Sequence, residues 1–86
     1  MNIFDELKNI IDEVKQKRDE LEVQLNLGKM EVKELWEETE DKLQDLTSKG
    51  KKVAEEAEDT AKNTLEAGKL LAGEIKKGYE NIKKIL

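Results

Sequence analysis

Apolar residues recur along this chain at steps of three and four, or sums of them, and no proline interrupts the row. The row runs through Ile3, Leu7, Ile10, Val14, Leu21, Leu25, Val32, Leu35, Leu43, Leu46, Val53, Ala57, Ala61, Leu71, Ile75, Tyr79, Ile82 and Leu86. With Lys17, Gly28, Thr39, Gly50, Thr64 and Gly68 in the intervening slots, the mean step is about 3.6 residues, the pitch of an α-helix. The pattern predicts an all-α chain that carries one apolar face along most of its length.

Local signals divide this face into two arms. Asn2 can cap a first helix, and Asp5 three residues on suits both a capping box and the positive end of the helix dipole. Up to about Leu46 the arm is rich in large aliphatics. Ile3, Leu7, Ile10, Val14 and Leu21 follow a coiled-coil rhythm, widened on one flank by Phe4, Ile11 and Leu25. Val23, Leu27 and Met30 lie on the opposite side of the same helix and make a possible second interface. The alternative is a break at Asn26-Leu27-Gly28, with Gly28 just past a helix end. Good helix formers resume at once in Lys29-Met30-Glu31, which favours continuity. Thr47-Ser48-Lys49-Gly50-Lys51-Lys52 is the better turn candidate, because Gly50 can adopt a left-handed conformation and the lysines suit a helix C-terminus. The reading is a single helical domain with a helix over 2–48, a turn at 48–51 and a helix over 51–85.

The second arm differs in kind. Its face is small in the first half (Val53, Ala57, Ala61, Thr64, Gly68) and large in the second (Leu71, Ile75, Tyr79, Ile82). Small residues bury little area, yet they let another backbone approach closely. On the outer surface Glu13-Lys17, Glu38-Lys42, Asp45-Lys49, Glu58-Lys62 and Glu80-Lys84 are acid-before-base pairs four apart, which support helicity and solubility.

Composition sharpens this picture. Charged residues make up 43% of the 86 residues and aromatics 3%, values near those of disordered chains. A regular apolar face argues against disorder, and an Ala/Glu/Lys/Leu-rich make-up is that of long helices. The formal charge of −5 disfavours nucleic acid and anionic membrane as nonspecific partners. Lys49, Lys51 and Lys52 form a compact basic cluster, but it lacks interleaved aromatics and acidic runs flank it. The start of the chain has no secretory signal pattern, and no apolar run approaches membrane-span length, so a cytoplasmic location is expected.

Candidate chemistry is sparse. Histidine and cysteine are absent, which removes the commonest metal ligands, the usual general base and a thiol nucleophile. Glu37, Glu38, Glu40, Asp41 and Asp45 form an acidic run without the loop that a calcium site needs. Thr47, Ser48, Thr60 and Thr64 have no base to activate them. No catalytic, cofactor or metal site is expected, and the chain reads as a non-enzyme. Trp36, beside Leu35 at the edge of the face, suits packing against a partner helix or a binding hot spot.

The segment from Asp19 through Leu25-Asn26-Leu27-Gly28-Lys29-Met30-Glu31 to Trp36-Glu37-Glu38 resembles a motif of small uncharacterised bacterial coiled-coil proteins. The tail Glu74-Ile75-Lys76-Lys77-Gly78-Tyr79-Glu80-Asn81-Ile82 resembles their ending. That resemblance implies a long helical hairpin and brings no established activity. From Ala57-Glu58-Asp59-Thr60-Ala61-Lys62 onward the chain is similar in composition to late-embryogenesis-abundant and apolipoprotein-like helices. This second likeness implies stress protection or lipid contact.

The expected architecture is an antiparallel, coiled-coil-like hairpin. One hairpin offers too little cover for Ile3, Phe4, Leu7, Ile10 and Ile11 together with Val23, Leu27 and Met30. Self-association follows, most simply a dimer of hairpins forming a four-helix bundle. The expected function is a structural or interaction module working by helix packing with itself and a helical protein partner. The alternatives are an amphipathic membrane-surface or stress-protective protein, and a small acidic inhibitor or regulator of one protein.

Overall fold

A computed structural model describes residues 2–25 and 28–86. The chain is all-α, with α1 (Ile3–Glu22), α2 (Met30–Val53) and α3 (Glu58–Ile85). Cross-helix contacts set the topology. Arg18 of α1 meets Glu40 of α2, and a side chain at Gly68 of α3 would touch both Leu7 and Leu46. Hence α1 and α2 are antiparallel, as are α2 and α3. Glu6 pairs with Lys69 at 3.3 Å and Glu13 with Lys76 at 2.8 Å, so α1 and α3 run parallel. The result is an up-down-up bundle measuring 44 × 19 × 16 Å. Its long axis is about the length of the 28-residue α3, which at 1.5 Å per residue spans roughly 42 Å.

Local chemistry accounts for most helix ends. The Asn2 side chain accepts a hydrogen bond from the Asp5 backbone N–H at 2.8 Å, the cap expected from the sequence. Glu31 sits in the first turn of α2, and Lys51 and Lys52 in its last. Glu58 and Asp59 open α3, and Lys83 and Lys84 close it. Each charge has the sign that the helix dipole favours at its end.

Two expected boundaries are corrected. The helix over 2–48 is not continuous, because α1 stops at Glu22 and α2 starts at Met30. Single-turn bonds from the Gln24 N–H to the Leu21 carbonyl (2.9 Å) and from the Leu25 N–H to the Glu22 carbonyl (3.2 Å) close α1. Folding back lets the faces of α1 and α2 both cover α3, and this burial outweighs the local preference for helix. Nor is there a turn at 48–51. Gly50 lies inside α2, and the chain reverses at Ala54–Ala57. No glycine among the described residues has a positive φ. Gly50 is there because a Cβ on it would stand 2.6 Å from Ile11 Cδ1, so its bareness brings α1 and α2 together.

The core repeats with a shorter period than 3.6. Buried residues fall at Leu7, Ile11, Val14 and Leu21 on α1, and at Val32, Trp36, Thr39, Leu43, Leu46 and Val53 on α2. On α3 they are Ala61, Leu65, Gly68, Ala72, Ile75, Tyr79 and Ile82. Once Arg18 and Gly50 are placed in the gaps, fours and threes alternate strictly on every helix. That is the repeat of about 3.5 residues which characterises supercoiled helices with knobs-into-holes packing.

Candidate functional site

Most of the apolar row faces inward within one chain. Leu7, Val14, Leu21, Val32, Trp36, Leu43, Leu46, Val53, Ala61, Ile75, Tyr79 and Ile82 are buried. Ile3, Ile10, Leu25, Leu35 and Leu71 are partly buried against that core. Ala57 is exposed and serves as the N-cap residue of α3, so it leaves the face. Ile11, Leu65 and Ala72 take the core slots beside Ile10, Thr64 and Leu71. Strict alternation of threes and fours would have selected them from the sequence; an averaged step of 3.6 drifts off the seam by about a residue over each arm. Of the residues expected to need a second chain, the third helix helps to bury Leu7 and Ile11 and partly covers Ile3 and Ile10, while Phe4, Val23 and Met30 stay exposed.

The residues left outside are few. Val23 is 87% exposed and Met30 75%, one at each edge of the α1–α2 connection; Leu27, the third member of the proposed second interface, lies outside the described residues. Leu70 is 75% exposed on the outer face of α3, and Phe4 and Leu86 are exposed near the termini. Since α1 and α3 are parallel, Val23, Met30 and Leu86 belong to the same end of the bundle.

The densest polar contacts lie between α1 and α2. Arg18 occupies a seam position of α1, with its side chain 27% exposed. Its Nε and Nη2 donate to the two oxygens of Glu40, the latter at 2.9 Å, and its Nη1 lies 3.2 Å from Glu22. The guanidinium stands 5.4 Å from the centre of the Trp36 ring, within cation–π range. Trp36 in turn meets Tyr79, ring centres 6.1 Å apart and tilted by 37°. The two-pronged bond to Glu40 keeps Arg18 charged against the cost of its burial. The Tyr79 hydroxyl is buried and has no hydrogen-bond partner among the described residues. Burial, then the nearby Glu40 charge, push its pKa up to about 12, against the opposing pull of Arg18.

A second polar feature binds α1 to α3. Glu6–Lys69 and Glu13–Lys76 are successive rungs seven residues apart on both helices. The Lys76 hydrogen bond and charge hold the Glu13 carboxyl below its usual range. The next positions in that series, Glu20 and Lys83, line an open groove of about 310 Å³ between α1 and α3. A second open groove, about 430 Å³, lies over Arg18 and Glu40 between α1 and α2. Thr47 and Ser48 line the second groove, and the Thr47 hydroxyl donates to the Leu43 carbonyl at 2.9 Å. The described residues contain no group of three or more histidine, cysteine or acidic side chains that could hold a metal ion. No helix of the described residues is long and apolar enough to cross a membrane.

No family model, curated protein or solved structure matches the chain.

Proposed function

We propose that the chain is a small structural and interaction module that acts by helix-to-helix packing with a protein partner. The observation that carries this reading is the contrast between a well-filled core and Val23 and Met30, which are large, apolar and mostly exposed at the α1–α2 connection. Contiguous exposed apolar surface marks binding sites, and in this reading Val23 and Met30 form part of such a surface at one end of the bundle. A bundle whose face is already buried has little apolar area left for lipid, which favours a protein partner over the membrane-surface alternative. Self-association enters this reading only for chains that open, because a closed chain covers most of its own apolar row. Two chains opened into hairpins would form the four-helix bundle expected from the sequence, while a closed chain would dock by its end.

Photo-crosslinking from a reactive residue at position 30, in the native host, tests this role. A discrete protein adduct, absent when the probe sits on exposed Lys62, is the expected result. Equal labelling from both positions, or adducts to lipid alone, would contradict it.

A further inference from the structure

We infer that the Arg18–Glu40 pair selects the topology of this chain, holding it as a closed three-helix bundle against a long two-helix hairpin that the same apolar row could build. The competing form is physically accessible. Leu21, Leu25, Val32 and Leu35 stay on one side of an uninterrupted helix, and no proline lies between them. The helix ends on either side of the α1–α2 connection are compatible with that form. Val23 ends α1 in an ordinary right-handed conformation (φ −60°, ψ −32°), and Lys29 opens α2 without a side-chain cap. Gly50 could take up the reversal that a long hairpin needs.

The two forms differ in what they offer Arg18. In the closed bundle its guanidinium sits on a seam otherwise built of Leu7, Ile11, Val14 and Leu21, and four groups answer it: both oxygens of Glu40, the Glu22 and Asp19 carboxylates and the Trp36 ring. In a hairpin turned at Gly50, the equal rise of two antiparallel helices brings Arg18 level with Ile82. Glu40 would then lie about six turns away on Arg18's own helix. The cation would lose both Glu40 bonds and keep only the solvent-exposed Asp19 and Glu22 carboxylates of its own helix, facing an apolar layer in which a poorly paired charge is disfavoured. A single polar seam residue that fixes register and chain number is a known device of coiled coils. Here its partner comes from the same chain, so the selected state is the closed monomer. The inference stands on the closed geometry and does not depend on the proposed partner.

Light scattering coupled to size-exclusion chromatography, with circular dichroism alongside, tests it. The unsubstituted chain is expected at its single-chain mass of 9.9 kDa. Arg18→Leu is expected to stay fully helical, to double in mass and to gain helical signal as the connection after Glu22 joins the helix. Arg18→Glu combined with Glu40→Arg should return the single-chain mass, and either reversed charge alone should not. An Arg18→Leu chain that stays monomeric with unchanged helicity overturns the inference. So does an Arg18→Leu dimer that the charge-swapped pair fails to reverse. If Arg18→Leu precipitates, Arg18→Lys decides: it keeps a charge but loses the two-pronged bond, and a wholly monomeric Arg18→Lys chain at millimolar concentration counts against the selector.

Discussion

Glycine has opposite roles at different positions in α3. At Gly73 an added Cβ would meet nothing within 4 Å. Gly73→Ala therefore gains helix propensity without a clash and should raise stability by about 1 kcal/mol. At Gly68 the same carbon would stand 2.7 Å from Leu7 Cδ1, inside a filled core. Overpacking costs of about 1–3 kcal/mol outweigh the propensity gain there, so Gly68→Ala should fall below the unsubstituted chain. Urea titrations of the two variants check the predicted order, and equal shifts would show that Leu7 does not press on α3. Tyr79 makes a second residue-scale case. Its buried hydroxyl has no hydrogen-bond partner among the described residues, so Tyr79→Phe should leave stability at neutral pH unchanged or raise it by up to about 1 kcal/mol. The sign with pH follows from linkage. A tyrosine whose folded pKa is raised to about 12 keeps its proton in the bundle while the unfolded chain loses it near 10. Its contribution is full below pH 10 and is lost as pH rises through 12. The stability difference between Tyr79→Phe and the unsubstituted chain should widen in favour of phenylalanine across that window. Paired chemical melts at pH 9 and 11.5 measure it.

At the scale of elements, α1 is held to α3 by charged rungs as well as by its apolar seam. The Glu13 carboxyl titrates below its usual range because Lys76 donates to it and carries a charge. Lys76→Met should return Glu13 toward the ordinary glutamate value, read as a shift of its side-chain carbon resonance in an NMR titration. Lys77→Met, an exposed neighbour of Lys76, should leave it in place. An unmoved Glu13 in the Lys76 variant would mean that the parallel pairing of α1 and α3 is absent in solution. This pairing was not legible in the sequence, where Glu13 reads equally well as an (i, i+4) partner of Lys17. Three of the pairs expected along single helices are present: Glu38–Lys42 at 4.0 Å, Asp45–Lys49 at 3.4 Å and Glu58–Lys62 at 3.6 Å. The cap at Asn2 was legible because it involves only neighbours. The placing of the turns was not. Gly50 carries the local marks of a reversal, and only the third dimension shows that Ile11 needs its bare backbone. The connection after Glu22 has weak local marks, and the chain reverses there because burial on α3 rewards it.

For the whole molecule, the all-α class was legible from periodicity, because that signal is summed over many turns. The number of helices was not. A row that stays in phase across a connection looks the same whether the chain continues or folds back, and the two outcomes differ only in which faces meet. The role of Arg18 was hidden for the same reason, since its partner Glu40 is contributed by another helix and reads in the sequence as part of a solvated acidic run. One chain closes on itself as an up-down-up bundle, and nuclear Overhauser contacts in dilute solution check that closure. The closed bundle predicts cross-peaks between the Trp36 and Tyr79 rings and between the Leu7 methyls and the Gly68 α-protons. Trp36 contacts to the Thr64 region instead, with no Leu7–Gly68 cross-peak, would place the reversal at Gly50 and contradict it.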